Sequence, residues 1–208
     1  MLPAKGLRLI VIVAVLVMTI GVAAPAMAQD GSNVLIMARA VDSTGLDPHT
    51  QTAFASLRLL ELVYETLVRT DENLNLEPAL AESWAFSEEG TQLTFNLRQG
   101  VTFHDGSPFT AEDVIASLER ILDEETGSAT RSNLLSIESM EAPDDYTVVM
   151  NLSVADVPLV AALSSINTAI LPSELIAEGD PAATVIGTGP FMLDSWQPEE
   201  KTVLTAFG

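Results

Sequence analysis

Between Thr91 and Arg98 the chain alternates: Leu93, Phe95 and Leu97 are apolar, and Thr94 and Asn96 between them are polar. A period of two places the three apolar side chains on one face, so this segment reads as a half-buried strand that needs an apolar cover. Gln99-Gly100 breaks the strand, Val101 to His104 resumes it, and Asp105-Gly106 turns the chain again. Thr110-Ala111-Glu112-Asp113 then opens a helix that runs to about Asp123, with Val114, Leu118 and Ile121 on one stripe. Thr110 is placed to accept from an early backbone N–H, and the two acids sit at the positive end of the helix dipole. The segment thus combines strand and helix.

The remaining pattern is mixed. Val34 to Ala40 is a short apolar run that reads as a buried strand, and Thr44 to Pro48 has turn chemistry. Leu57, Leu60, Tyr64 and Leu67 recur at helical spacing, predicting a helix over Phe54 to Val68. Asp71 to Asn75 is a polar turn, and Leu76 to Trp84 is a mixed segment. Ile137 to Glu141 and Tyr146 to Leu152 flank Ala142-Pro143-Asp144-Asp145 and predict an antiparallel hairpin. Leu159 to Leu163 suits a short helix, Ile166 to Leu171 a short strand, and Ser173 the cap of a further short helix. A Gly187-Thr188-Gly189-Pro190 loop precedes two strand-like runs, Phe191 to Trp196 and Thr202 to Ala206.

The first thirty residues are a separate object. Lys5 and Arg8 precede an uncharged apolar run from Leu9 to Ala23, followed by Pro25 and the small-x-small sequence Ala26-Met27-Ala28. This is the layout of a secretory signal, with cleavage expected between Ala28 and Gln29. A membrane anchor is the rival, but the strongly apolar part is short and a helix breaker follows. The expected division is therefore a signal peptide at residues 1–28 and a product from 29 to 208. Removing the signal leaves seven basic side chains against 29 acidic ones. Such acidity argues against nucleic acid and against anionic headgroups, both of which need a basic surface. With no cysteine in the 208 residues, disulfides, thiolate metal sites and a lipid-modified N-terminal cysteine are all excluded.

Nothing in the chain forms a recognisable catalytic set. Glu88-Glu89, Glu124-Glu125 and Asp144-Asp145 fall in predicted turns or helix ends and read as solvated. His49 and His104 lack metal-binding spacing, and no G-x-S-x-G elbow is present. Gly187-Thr188-Gly189-Pro190 has no following lysine and is a poor phosphate cradle. No catalytic residue, metal or cofactor is expected, and a binding role is at least as well supported as a reaction.

One stretch is far more specific. Pro78-Ala79-Leu80-Ala81-Glu82-Ser83-Trp84 leads through Gly90 and Leu93-Thr94-Phe95-Asn96-Leu97-Arg98 to Gly100-Val101-Thr102-Phe103-His104-Asp105-Gly106. Phe109-Thr110-Ala111-Glu112-Asp113-Val114 and Ser117-Leu118-Glu119-Arg120 close it. In order and spacing this resembles the solute-binding proteins of peptide/nickel-type ABC transporters, the dipeptide- and oligopeptide-binding proteins. Leu46-Asp47-Pro48, Val63-Tyr64-Glu65-Thr66-Leu67, Asp145-Tyr146-Thr147-Val148 and Gly187-Thr188-Gly189-Pro190-Phe191 with Trp196 extend the resemblance over essentially all of residues 29–208.

The resemblance implies an α/β fold of the type II periplasmic binding protein kind, with a mixed sheet and flanking helices. Members are two-lobed and well over twice this length, so residues 29–208 are expected to form an incomplete first lobe that does not close over a ligand. It implies a periplasmic monomer, not lipid-anchored, that captures peptides or similar small polar solutes. An ABC permease in the inner membrane is the implied partner, and no catalysis is implied. Thr50 and Thr52, in the loop after Asp47-Pro48, are the first candidates for ligand contact. Asn167 and Thr168 in the short strand, and Gly189 in the glycine loop, are the second. His104 and Asp105 are expected to stabilise a turn. Two other readings are a short secreted interaction protein built on a reduced lobe and a secreted hydrolase.

Overall fold

The alternating segment sits second in a four-stranded antiparallel sheet. In the computed structural model, which describes residues 33–208, β3 (Ala81–Phe86), β4 (Gln92–Leu97), β5 (Ile137–Asp144) and β6 (Thr147–Leu152) lie in the order β3-β4-β6-β5. Two three-residue strands, β1 (Val68–Thr70) and β2 (Leu76–Pro78), form a small hairpin before it. Leu93 faces Met150 and Phe95 faces Val148 across β4 and β6, so the apolar sets of the two strands share one face. Helix α2 (Ala111–Leu122) covers that face with Val114, Leu118 and Ile121, all fully buried together with Leu93, Phe95, Val148 and Met150. Each such side chain contributes about 1.5–3 kcal/mol of burial, which makes this layer the main stabilising core.

A second apolar cluster joins Leu46, helix α1 (Phe54–Leu60), Val63, Tyr64, Ala169, Leu171 and Leu175. Short helices α3 (Pro158–Ala162) and α4 (Ser173–Glu178) follow the main sheet. The hairpin β7 (Phe191–Gln197) and β8 (Lys201–Ala206) packs Leu193, Trp196 and Leu204 against this second cluster. Arg39–Gly208 forms one compact unit. Among the described residues, no helix is long and apolar enough to cross a membrane. The expected cleavage point, Ala28 and Gln29, lies outside the described residues.

Several expected elements take other forms. Val34 to Met37 is not a strand: it has no strand partner among the described residues, and its side chains are exposed. An apolar run becomes a buried strand only where another backbone pairs with it. The helix from Phe54 stops at Leu60 instead of reaching Val68. Beyond it the Leu62, Val63 and Glu65 carbonyls accept backbone N–H groups from Phe191, Gly189 and Ile170. Val63, Tyr64 and Leu67 are buried as expected, but from a turn at residues 61–63 and the irregular chain that follows it. Val101 to His104 makes only an isolated bridge between Thr102 and Pro108.

Ile166 to Leu171 opens as a 3-10 turn, Ile166–Thr168, not as a strand. The Ser165 hydroxyl accepts from the Asn167 N–H there and favours the turn. Ser173 does not cap α4; its own N–H donates to the buried Asp113 carboxylate at 2.8 Å. The β5–β6 turn is tighter than Ala142–Asp145, because β5 runs on through Pro143 to Asp144. β5 is an edge strand, and its register shifts between Glu141 and Asp144, the setting in which proline is tolerated.

Candidate functional site

The loop from Asp47 to Thr52 carries the first two candidate residues, and three separate attachments hold it. Its own turn forms first: the Asp47 carbonyl accepts from the Thr50 and Gln51 N–H groups, and the Asp47 carboxylate from the His49 N–H at 3.0 Å. Pro48 fixes its φ inside this turn. The second attachment is ionic. Arg120, near the end of α2, donates through both terminal nitrogens to the Asp47 carboxylate at 2.6 and 3.1 Å. Asp47 is buried and Arg120 largely so, so this pair is shielded from solvent. Burial pushes the Asp47 carboxyl up, but the hydrogen bonds and charge of Arg120 outweigh it and hold the group below the ordinary carboxylate value.

The third attachment runs to the segment 165–171. His49 is fully buried; its Nε2–H donates to the Ala169 carbonyl at 2.9 Å, and its Nδ1 accepts from Arg120 Nη1 at 2.8 Å. A carbonyl can only accept and a guanidinium can only donate, so the ring is the neutral Nε2–H tautomer. Burial lowers the His49 pKa to about 4, and the adjacent Arg120 charge adds to the effect. The Asn167 side-chain amide donates to the Pro48 carbonyl at 2.6 Å and to the Gln51 carbonyl at 2.8 Å.

The five candidate residues therefore fall into two settings. Thr52 is exposed and Thr50 half-buried, and neither hydroxyl has a hydrogen-bond partner among the described residues. Asn167 is brought directly against their loop, with both amide protons engaged. Thr168 is buried and its hydroxyl donates to the Ser165 carbonyl at 2.8 Å. Gly189 is buried as well; its N–H donates to the Val63 carbonyl at 2.9 Å and its carbonyl accepts from His104 Nε2 at 2.9 Å.

His104 does more than steady its own turn. The Gly187 N–H donates to His104 Nδ1 at 3.3 Å, the His104 N–H donates to the Gly187 carbonyl at 2.9 Å, and the ring meets Phe207 edge-on at 4.8 Å. One imidazole thus ties the 103–107 turn to the glycine loop. Asp105 accepts from the N–H and hydroxyl of Ser107, as a turn-forming aspartate does. The glycines themselves answer a packing need. A Cβ on Gly187 would collide with the Val63 carbonyl oxygen, and one on Gly189 would lie 2.7 Å from it.

Two open depressions lie elsewhere. One of about 510 Å³ is lined by Glu82, Asn96, Asp144, Asp145 and Tyr146, the other of about 340 Å³ by Glu112, Ser173, Glu174 and Glu178. Among the described residues, no group of three metal-binding side chains converges.

Comparison with known proteins turns this geometry into a family. Residues 75–208 match the bacterial extracellular solute-binding proteins, family 5, middle region. The chain belongs to this family. It is 33% identical over 184 residues to the probable D,D-dipeptide-binding periplasmic protein DdpA of Escherichia coli K12, covering 83% of this chain and 35% of that one. Among solved structures it is similar to the periplasmic binding protein AgaA of A. tumefaciens R10, in complex with agropinic acid. The TM-score there is 0.77 at 32% identity, covering 80% of this chain and 34% of AgaA. It is also similar to the periplasmic binding protein DppA of Helicobacter pylori in complex with the peptide STSA, with TM-score 0.70 and 31% identity over 80% of this chain and 38% of that one. The mixed α/β fold is thus that of periplasmic binding proteins, and the chain spans about a third of the length of these relatives.

Within this family member, the residues that sequence reasoning missed are those that fasten the loop. Asp47 and Arg120 each fell in a recognised motif, but 73 positions separate them and no local pattern links them. Ser117 is a similar case. Its hydroxyl donates to the Leu171 carbonyl at 3.3 Å and accepts the Leu171 N–H at 2.9 Å, joining α2 to the extended segment.

Proposed function

We propose that the chain is part of an extracytoplasmic solute-binding protein that captures peptides or similar small polar solutes and hands them to an ABC permease in the inner membrane. Family membership over residues 75–208 carries this reading. The three relatives described above are named for a probable D,D-dipeptide, agropinic acid and the peptide STSA, all small polar molecules. The protein acts in the periplasm after loss of residues 1–28, as a monomer, and binds its cargo without transforming it. Thr50 and Thr52 supply hydroxyls at the cleft edge, where a polar ligand exchanges water for protein hydrogen bonds.

Deletion of the gene in its host tests this. Uptake of a radiolabelled dipeptide or of labelled glutathione should fall, and a plasmid copy should restore it. The tagged product should leave the cell on osmotic shock with Gln29 as its first residue. Unchanged uptake of both probes, or a product retained in the membrane or cytoplasm, would overturn the proposal.

A further inference from the structure

We propose that Asn167 is a positioning residue for cargo capture: its side-chain amide holds the 48–51 loop so that Thr50 and Thr52 are presented in one fixed arrangement. The inference rests on the reading of that loop as a cargo-facing wall. Both Asn167 amide protons are spent inside the chain, at 2.6 Å on the Pro48 carbonyl and 2.8 Å on the Gln51 carbonyl. Asn167 therefore has no side-chain donor to offer a solute, and what its amide does is hold the loop.

The two accepting carbonyls bracket Thr50 and adjoin Thr52. Within the loop, the Thr50 and Gln51 N–H groups already return to the Asp47 carbonyl. The Asp47–Arg120 pair fixes the start of the loop, and the Asn167 amide fixes its far end. The base of this latch is itself rigid, because the Asn167 N–H is held by the Ser165 hydroxyl and the adjoining Thr168 hydroxyl returns to the Ser165 carbonyl. A hydroxyl held in place before binding loses less rotational freedom on capture, which favours affinity without adding a contact.

The test uses the full chain with two replacements. Asn167→Asp keeps the size but removes both donors, and Asn167→Gln keeps the amide. Amide hydrogen exchange at residues 49–53 should quicken about tenfold in Asn167→Asp, stay near wild type in Asn167→Gln, and be unchanged in helix α2 for both. The tetrapeptide Ser-Thr-Ser-Ala and glutathione are then titrated to millimolar concentration while the Thr50 and Thr52 amide NMR signals are followed. Wild type and Asn167→Gln should show shifts at millimolar probe, from contact with an open lobe that does not close, and Asn167→Asp should show shifts about tenfold smaller at the same concentration. Unchanged exchange in Asn167→Asp overturns the latch. Faster exchange with an unchanged titration overturns the positioning role. Wild-type Thr50 and Thr52 signals that ignore both probes overturn the loop as a cargo wall, and the exchange data still report separately on the latch. If Asn167→Asp does not fold, Asn167→Ser replaces it in both measurements.

Discussion

Arg120 closes a two-point ion pair on Asp47, 73 positions earlier, and the same guanidinium donates to His49. One side chain therefore joins α2 to the loop that carries Thr50 and Thr52. Removing either partner strands a charge in a site that excludes water. Asp47→Asn and Arg120→Leu should each lower unfolding stability by about 3–5 kcal/mol, because the remaining ion keeps its desolvation cost without its partner. The double replacement Asp47→Asn with Arg120→Leu should be less damaging than the sum of the two. Urea unfolding midpoints for the three variants check this, and additive losses would contradict it.

Below neutral pH, His49 makes stability depend on acid. Its native pKa is about 4, against an ordinary value of 6.5. Between those values the unfolded chain holds more protons than the native one, so stability falls as pH falls. The contribution is complete above pH 6.5 and is lost progressively toward pH 4, amounting to about 3 kcal/mol. The lowered Asp47 pKa acts in the same direction but only below its ordinary value of 3.8. Urea midpoints measured from pH 7 to pH 4 should therefore decline, and His49→Gln should flatten that decline. An equal slope in the variant would remove His49 as the cause.

At the glycine loop, the expected damage is steric. Gly187→Ala drives a methyl group into the Val63 carbonyl oxygen and onto the Tyr64 ring, both of which are buried. Gly189→Ala meets the same backbone carbonyl. Neither clash can be relieved by a flexible side chain, so each variant should lose about 2–4 kcal/mol in unfolding stability. Gly100→Ala meets no neighbouring atom but sits at φ +75, so it should cost only the smaller left-handed penalty of about 1 kcal/mol. Thermal melts of the three variants should rank Gly187→Ala and Gly189→Ala below Gly100→Ala; the reverse order would refute the packing argument.

Charge should make the protein salt-stabilised. With 29 acidic side chains against nine basic ones, repulsion between like charges opposes the compact state. Raising NaCl from about 10 mM to 1 M shortens the screening length from about 30 to 3 Å. The melting temperature should rise by several degrees, most of it below about 0.2 M where long-range repulsion is screened first. A flat or falling melting curve over that range would show that the acids are compensated locally.

The alternation at Leu93, Phe95 and Leu97, the helix from Ala111, the β5–β6 hairpin and the β7–β8 strands were all legible in sequence order. Each is set by side chains a few positions apart, so periodicity, turn residues and capping chemistry are enough to specify it. The family was legible for a related reason: its motifs are local blocks with distinctive spacing. Tertiary structure decided where the pattern gave way. The run after Leu60 has helical spacing but leaves the helix through a turn, and the backbones of residues 170, 189 and 191 bond to its carbonyls. Ser173 carries a capping side chain, yet Asp113, 60 positions earlier, supplies the acceptor. Asn167 was legible as a candidate for ligand contact in an expected short strand, but only the fold brings it to the loop and shows its amide spent on Pro48 and Gln51. Hydrogen bonds and ion pairs across 60 to 120 positions leave no periodic trace along a chain. They exist only after the two cores have folded and brought their partners together.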